Sequence, residues 1–279
     1  MSDTAVYGAL NTVRLSFPAP AVLLVELHRP SDLNSMNKAF WVEFRKVFEA
    51  VREDTNVRAV VISGGEGKHF TAGLDLKDFT GSLIGEAQDP ARKAIGFLSL
   101  VNAMQASFTA IEECGRAVIV AVHGACIGAG IDLMTACDIR YAANDASFSI
   151  KEVDIGLVAD VGTLQRMPKV VGNDSWMREL AFTGRRFPAS EALQHGLVSK
   201  VVPRTELMAT ALATATEIAS KSPVVTLGVK HILNYSRDHS VADGLNYVGV
   251  WNSAMTNTQD LQIAIAANLG KRKAVFPKL

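Results

Sequence analysis

Cysteine is scarce in this chain of 279 residues, which contains only Cys114, Cys126 and Cys137. An odd number of thiols without metal-type spacing fits neither a disulfide framework nor a zinc site. Chains that lack disulfides are typical of reducing compartments. We therefore predict that the three cysteines are buried free thiols.

Neither sign of charge is in excess. Lys and Arg together number 28, as do Asp and Glu, so no net field favours nucleic acid or an anionic membrane surface. No apolar run approaches the ~20 residues of a membrane helix. No basic residue precedes Arg14, unlike in a mitochondrial presequence. We expect no nucleic-acid partner and no membrane span.

The chain does contain enough apolar residues, 48%, to build a full core. In its first two-thirds, short β-branched runs alternate with longer amphipathic runs, which is the pattern of an α/β fold. The predicted strands cover residues 22–27, 57–63, 117–122, 139–142 and 147–150. The predicted helices cover residues 37–51, 91–113 and 130–137, and residues 81–89 are predicted to form a loop.

The strand pattern stops near Thr205, and amphipathic helices follow. They are predicted at residues 206–220, 223–237, 241–255 and 259–269. Their apolar content is high for a terminal appendage, so they should pack on another subunit or back over the main domain, and we favour another subunit. The predicted division is a core of residues 1–204 and a helical oligomerisation region of residues 205–279.

Two glycine-containing segments each follow a predicted buried strand, at residues 64–76 and 122–132. Small residues there let a ligand approach the backbone, and the start of a helix offers amides without acceptors to a negative charge. Taken alone, the first segment reads more readily as a surface turn. The spacing of Gly124, Gly128 and Gly130 does not fit a dinucleotide fingerprint, and neither segment ends as a P-loop does.

Three carboxylates, Asp132, Glu152 and Asp160, lie in a stretch that is otherwise largely apolar or glycine. Converging carboxylates in such a setting indicate proton chemistry or a metal. Each one alone could instead be a helix-start acid, a solvated side chain or an N-cap. No histidine accompanies them at ligand spacing, so we predict no metal.

A resemblance to the enoyl-CoA hydratase/isomerase (crotonase) superfamily covers nearly the whole chain. It is carried, in chain order, by residues 70–76 (FTAGLDL), 121–124 (AVHG), 128–133 (GAGIDL), 137–138 (CD) and 163–166 (TLQR). Within that superfamily the dienoyl-CoA isomerases, which convert 3,5-dienoyl-CoA to 2,4-dienoyl-CoA, are most similar. That likeness is carried by residues 136–141 (ACDIRY), 151–154 (KEVD), 159–166 (ADVGTLQR) and 236–241 (SRDHSV).

The resemblance implies a spiral of ββα units with a helical C-terminal region that builds trimers, usually paired into hexamers. It also implies an oxyanion hole made by the backbone N–H groups of Leu74 and Ala129, which would hold the carbonyl of an acyl-CoA thioester. Position 129 is often glycine in the family, so alanine here is a mild departure. The segment containing Ala72, Gly73, Leu74, Asp75 and Leu76 is expected to lie along the CoA, and no cofactor is expected.

The three carboxylates receive roles from the same resemblance. Glu152 aligns with a hydratase glutamate that acts near C2 of the acyl group, and Asp160 stands where hydratases commonly have glycine. We expect Glu152 to work near C2 and Asp160 near C6, with the direction of proton transfer left open. Asp132 aligns with the other hydratase glutamate and is expected to support them by raising a neighbour's pKa.

Several other residues receive less specific predictions. His69 and His123 border the two loops and are expected to be packed and hydrogen-bonded rather than catalytic. Lys77 or the cluster at 271–273 could meet CoA phosphates, although a solvated basic face is as good an interpretation. Met104, Phe108 and Trp251 are assigned to the core or an interface rather than to the acyl pocket.

The final residues, Pro277-Lys278-Leu279, resemble the peroxisomal Ser-Lys-Leu signal except at the first position. We expect a peroxisomal location, with a mitochondrial or cytosolic one as the alternative. The leading functional hypothesis is a dienoyl-CoA isomerase. One competing hypothesis is an enoyl-CoA hydratase of the same fold. The other is a non-catalytic scaffold or RNA-binding member, and the complete carboxylate set and the neutral charge disfavour this second alternative.

Overall fold

A six-stranded sheet forms the centre of the computed structural model, which describes residues 4–79 and 89–279. The strands are β1 (Val13–Ala19), β2 (Val22–Leu27), β3 (Ala59–Ser63), β4 (Ala117–Val122), β6 (Ile139–Ala143) and β9 (Lys200–Val202). They follow one another across the sheet in this order. Only the β1–β2 pair is antiparallel. The predicted loop at 81–89 falls outside the described residues except for Asp89.

A smaller three-stranded sheet lies beside the first, in the order β5 (Ala125–Ile127), β7 (Ser147–Ser149), β8 (Phe187–Pro188). The helices are α1 (Lys38–Glu53), α2 (Pro90–Glu113), α3 (Ala129–Ala136), α4 (Thr163–Val170), α5 (Asp174–Thr183), α6 (Ala189–Gln194), α7 (Arg204–Ala219), α8 (Pro223–Ser236), α9 (Val241–Met255) and α10 (Gln259–Leu269). The predicted helices and strands are therefore present, with ends displaced by at most two residues. No range was predicted for strands β1, β5, β8 and β9 or for helices α4, α5 and α6.

The central strands β2, β3 and β4 are largely apolar because both of their faces are covered. Alternate residues point to opposite sides of a strand. Accordingly, Leu23 and Val25 of β2 join the core under α1 and α2, whereas Val22 and Leu24 join a second core against α7. The result is an α/β architecture in which the sheet is a rigid layer, and the loops at the carboxyl ends of its parallel strands can carry chemistry.

Helix α7 is fixed to the sheet through Leu207, Ala211, Ala215 and Ala219, which are buried. The three helices after it leave large apolar side chains exposed, among them Val229 and Leu233 at 52% and 64%. A division of the chain after residue 204 and oligomerisation through the last helices remain proposals. By length and composition alone α2 could cross a membrane, but a single such helix is weak evidence for a span, and α2 packs against α1.

Candidate active site

The two glycine-containing loops are joined by backbone hydrogen bonds. Thr71 pairs in parallel with Cys126, through bonds of 3.1 Å from the Thr71 N–H to Ala125 O and from the Ile127 N–H to Thr71 O. The two segments run in the same direction, and two further residues matter for the site, each three positions beyond this pair. Those residues are Leu74 and Ala129.

Neither of these two amides has a hydrogen-bond acceptor among the residues that the structure describes. Leu74 forms a parallel bridge with Met36. In this bridge the Met36 N–H donates to Gly73 O, and the Asp75 N–H donates to Met36 O. That pattern turns the Leu74 N–H away from Met36. Ala129 is the first residue of α3, so its N–H has no partner within the helix and lies at the positive end of the helix dipole.

Gly73 makes this close approach possible. Its φ is +86°, and a Cβ at this position would lie 2.6 Å from Ile127 O and 3.5 Å from the Ala129 nitrogen. Only glycine combines that backbone conformation with that lack of bulk. The loop of Leu74 and the turn before Ala129 are therefore in contact, and a carbonyl oxygen between them could accept from both amides.

A narrow cavity of about 100 Å³ opens in front of these amides. Ala72, Gly73, Leu74 and Leu76 line it on one side, and Gly128 and Ala129 on the other. Its wall also contains two carboxylates, Glu152 and Asp160. Its apolar lining is contributed by Trp41, Phe97, Met104, Ile155, Leu157 and Val161. Such a cavity suits an apolar chain with a polarised carbonyl at one end.

Glu152 lies beside the turn that ends in Ala129. A Cβ on Gly128, whose φ is +53°, would be 3.0 Å from Glu152 Oε1, so this glycine also makes room for the carboxylate. Glu152 Oε2 is buried and has no hydrogen-bond partner within the described residues. Burial and then the charge of Asp132 raise the pKa of Glu152 to about 7. Glu152 can therefore exchange a proton near neutral pH.

Asp160 lines the same cavity and lies in the loop before α4. Its pKa is raised by burial. Its backbone carbonyl accepts a hydrogen bond of 2.6 Å from Gln105 Nε2, on α2. The N-cap position of α4 is occupied by Gly162, not Asp160, so the interpretation of Asp160 as a simple helix cap does not apply.

Asp132 lies behind the cavity, with 1% of its surface exposed. Its Oδ1 accepts a 2.6 Å hydrogen bond from the N–H of Thr163, the first residue of α4. Burial raises its pKa to about 6, although the Thr163 amide and Arg166 act in the opposite direction. The structure thus brings the three carboxylates into one electrostatic group, with Glu152 and Asp160 lining the cavity and Asp132 buried behind it.

The remaining predicted residues have clear positions. The Asp75 carboxylate is bound by Arg29 Nη1 at 2.9 Å and Ser35 Oγ at 3.1 Å and holds its loop in place. His123 Nε2 lies 2.9 Å from Gly67 O, and His69 Nδ1 accepts from the Ala125 N–H at 3.1 Å, so the packed and hydrogen-bonded interpretation of both is confirmed.

Met104 is buried in the core, as predicted, and in addition it forms part of the cavity wall, a position that the prediction did not give it. Met104 lies on the apolar side of α2. In the sequence, an apolar residue on that side looks the same whether it packs in the core or lines a cavity. Phe108 is fully buried in the core, as predicted. All three cysteines are buried free thiols, also as predicted.

Asn34 is a structural residue of the site that the sequence did not reveal. It is 3% exposed, and its side-chain amide donates to Gly64 O, His69 O and Phe70 O at 2.9–3.2 Å. Its φ is +54°, a conformation that asparagine tolerates better than most residues. An asparagine next to a predicted helix start reads as a cap, so only the tertiary structure shows that it ties down the first loop.

The fold and this amide-and-carboxylate cavity define an enzyme of the crotonase type, and comparison with known proteins agrees. The family model "Enoyl-CoA hydratase/isomerase" matches residues 19–278, and the chain belongs to this family. A solved enoyl-CoA hydratase from Bacillus anthracis superposes with a TM-score of 0.86 at 28% identity, covering 95% of this chain and 99% of that one. The resemblance seen in the sequence is thereby confirmed.

Two curated relatives narrow the comparison. The human protein "Delta(3,5)-Delta(2,4)-dienoyl-CoA isomerase, mitochondrial" is 50% identical over 274 residues, which cover 96% of this chain and 83% of that protein. The Arabidopsis thaliana protein "Delta(3,5)-Delta(2,4)-dienoyl-CoA isomerase, peroxisomal" is 44% identical over 276 residues, 98% of each chain.

Within residues 4–79 and 89–279, no group of three or more His, Cys, Asp or Glu side chains is arranged to hold a metal.

Proposed function

We propose that this protein is an isomerase that converts 3,5-dienoyl-CoA to 2,4-dienoyl-CoA in the oxidation of unsaturated fatty acids. The observation that carries the proposal is the placement of two separate carboxylates, Glu152 and Asp160, in one apolar cavity in front of the paired amides. The names and identities of the two curated relatives support the same substrate class.

The proposed reaction begins with the thioester carbonyl bound by the N–H groups of Leu74 and Ala129. Removal of a proton from C2 produces an enolate that is conjugated with both double bonds of the diene, and its negative charge collects on that oxygen. Preformed donors aimed at such a charge stabilise the transition state, and loss of one typically costs about 2.7–4 kcal/mol. The position of Ala129 at the start of α3 adds the field of the helix dipole.

Two proton transfers complete the isomerisation. One proton leaves C2, the double bonds shift toward the carbonyl, and one proton is added at C6, so the atoms balance without any cofactor. We propose that Glu152, next to the Ala129 turn, serves C2 and that Asp160, farther along the cavity, serves C6. The raised pKa values of both carboxyl groups suit groups that alternate between acid and base near neutral pH.

The activity itself is tested with purified protein and a 3,5-dienoyl-CoA, because the product absorbs at longer ultraviolet wavelengths once its double bonds are conjugated with the carbonyl. We expect rapid formation of the 2,4-dienoyl thioester. Rapid hydration of crotonyl-CoA without diene isomerisation would instead establish the hydratase alternative, which the solved Bacillus anthracis relative makes the natural second candidate.

The carboxylate roles are tested by Glu152→Gln and Asp160→Asn. Each should lower kcat by orders of magnitude with little change in KM, because proton transfer is needed in the transition state much more than in binding. Asp132→Asn should have a milder effect. Asp154→Asn is the matched control, since Asp154 lies in the same turn as Glu152 but pairs with Lys151.

Isotope exchange separates the two carbons. In deuterated water, Asp160→Asn should still exchange hydrogen at C2 while failing to isomerise, whereas Glu152→Gln should lose both activities. The opposite pattern would exchange the two assignments, and full turnover in both variants would refute them. Measuring deuterium at C2 by mass spectrometry of the recovered thioester distinguishes these outcomes.

We further propose that residues 72–76 and Ala129 bind the thioester end of acyl-CoA and that the protein works as a homotrimer or homohexamer. A peroxisomal location is also a proposal, because the curated relatives carry both mitochondrial and peroxisomal names. Fluorescence microscopy of the protein with an amino-terminal tag tests it, since such a tag leaves Pro277-Lys278-Leu279 unmodified; fluorescence confined to mitochondria or cytosol would refute it.

A further inference from the structure

The loop that carries Asp160 is held from behind by a polar face of α2. Gln105, Thr109 and Glu112 recur at spacings of four and three residues, so they lie on one side of that helix. Gln105 Nε2 donates to the carbonyl of Asp160 at 2.6 Å. The other two residues of this face bind Arg166, which lies in the first turn of α4.

Arg166 connects that face to the backbone of the catalytic loop. Its Nε and Nη2 donate to Glu112 Oε2 at 2.9 and 2.7 Å, and its Nη1 donates to Val161 O at 3.2 Å. Its side chain and that of Glu112 are only 13% and 12% exposed. A guanidinium fixed by both of its edges in this way has little freedom to move.

Gly162 permits this arrangement. Its φ is +138°, and a Cβ there would lie 1.9 Å from Arg166 Nη1, far inside van der Waals contact. The guanidinium therefore packs directly on the backbone between Val161 and Thr163. On the far side of the same peptide segment, the Thr163 N–H donates to Asp132. One short segment thus carries Asp160 and contacts both Asp132 and Arg166.

The network continues into the C-terminal helices. Arg237, which caps the end of α8, donates from Nη2 to Glu112 Oε1 at 2.5 Å. The next residue, Asp238, pairs with Lys169 of α4 at 3.2 Å. Sequence segments 163–166 and 236–238 had no role in the proposed chemistry, and each contributes one arginine, Arg166 and Arg237, to the partly buried Glu112.

We propose that Arg166, held by Glu112 and Arg237, is a positioning residue that fixes the Asp160–Thr163 segment against the cavity. The proposal rests on the proposed function, because it concerns the carboxylate that serves one end of the diene. Arg166 does not line the cavity with Glu152 and Asp160, so it acts through the segment rather than on the substrate. Because Glu112 binds both Arg166 and Arg237, the position of the Asp160–Thr163 segment also depends on the packing of α8 against α2.

Arg166→Met is the first test. It removes the bonds to Glu112 and Val161 and should lower kcat about 10²-fold, the cost expected of a misplacement near 1 Å, while KM for the thioester changes little. In deuterated water, Arg166→Met should behave like Asp160→Asn but with a smaller loss of isomerisation. Hydrogen exchange at C2, which Glu152 is proposed to serve, should be preserved. Arg166→Lys should recover part of the rate because the positive charge remains.

The controls separate positioning from stability. Arg178→Met removes an exposed arginine whose ion pair with Asp174 lies on α5, and it should leave kcat and the exchange pattern unchanged. Gln105→Met removes only the donor to the Asp160 carbonyl and should give the same exchange pattern as Arg166→Met. This second variant decides the matter if Arg166→Met does not fold, because Gln105 lies at the surface of α2.

The outcomes are distinct. A wild-type protein without isomerase activity would overturn the proposed function and this inference with it. An active wild type together with folded Arg166→Met and Gln105→Met variants of wild-type kcat would overturn the inference alone. A folded Arg166→Met variant that loses both exchange and isomerisation, as Glu152→Gln is expected to do, would also overturn it, because the defect would not be specific to the Asp160 segment.

Discussion

At the scale of single residues, the raised pKa of Glu152 suits proton transfer but lowers the free energy of unfolding at high pH. Its ordinary pKa of 4.5 is raised to about 7 because the carboxyl group is buried and faces the charge of Asp132. The folded protein therefore binds this proton more tightly than the unfolded chain does. The stability that follows is fully present below pH 4.5 and is lost as the pH rises through about 7, where the buried group becomes charged.

Glu152→Gln should consequently stabilise the protein at pH 8 more than at pH 5. One pKa unit corresponds to about 1.36 kcal/mol, so the shift sets an upper limit of about 3 kcal/mol on the gain at pH 8. Thermal or urea unfolding of both proteins at the two pH values measures it. Glu66→Gln, at an exposed position, is the control. An equal difference in stability at both pH values would contradict the argument.

At the scale of elements, Lys230 attaches α8 to the sheet. It is 5% exposed, and its Nζ donates to Ile111 O at 2.7 Å, Arg116 O at 2.9 Å and Asp138 Oδ2 at 2.8 Å. A buried ammonium group is tolerated here because all three of its protons have acceptors. The helix that carries Arg237 is thus fixed to the end of α2 and the start of β4.

Lys230→Met should destabilise the fold by about 3–5 kcal/mol, because it leaves two carbonyls and one carboxylate without their buried donor. Lys221→Met is the matched control. Lys221 also pairs with a glutamate, Glu217, but at a surface position, where such pairs contribute about 0–1 kcal/mol. Urea denaturation measures both, and a loss in Lys230→Met no larger than in the control would disprove the anchoring role.

At the scale of the whole molecule, the last three helices expose more apolar surface than a monomer usually does. Val225, Val229 and Leu233 form a stripe along α8, at 54%, 52% and 64% exposure, and border an apolar groove of about 440 Å³ between α8, α9 and α10. Their spacing of four residues places them on one face of the helix. This face is the surface on which we expect subunits to associate.

Val229→Asp should therefore reduce the molecular mass in solution, because an aspartate in an apolar interface must lose its hydration. Light scattering coupled to size-exclusion chromatography measures the mass, and circular dichroism shows whether the subunit remains folded. Val6→Asp, at another exposed apolar position near the amino terminus, is the control. A variant with the wild-type mass and an intact fold would exclude this face from the interface.

Much of this protein was determined by its sequence alone, because the period of apolar residues is a local property. That period predicted β2, β4, α9 and α10 to the residue. It missed β1, whose exposed residues and internal proline obscure the alternation. The carboxylates and the two loops were also visible in the sequence, since charge and glycine are conspicuous in an apolar stretch.

The tertiary structure alone decided how these parts face one another. The pairing of Thr71 with Cys126 joins the two loops that carry Leu74 and Ala129, and no local pattern encodes that pairing. The bonds from Arg166 and Arg237 to Glu112 join residues 54 and 125 positions apart. Hydrogen bonds and burial depend on distance in space, so partners so remote in the chain become visible only once the sheet has placed them together.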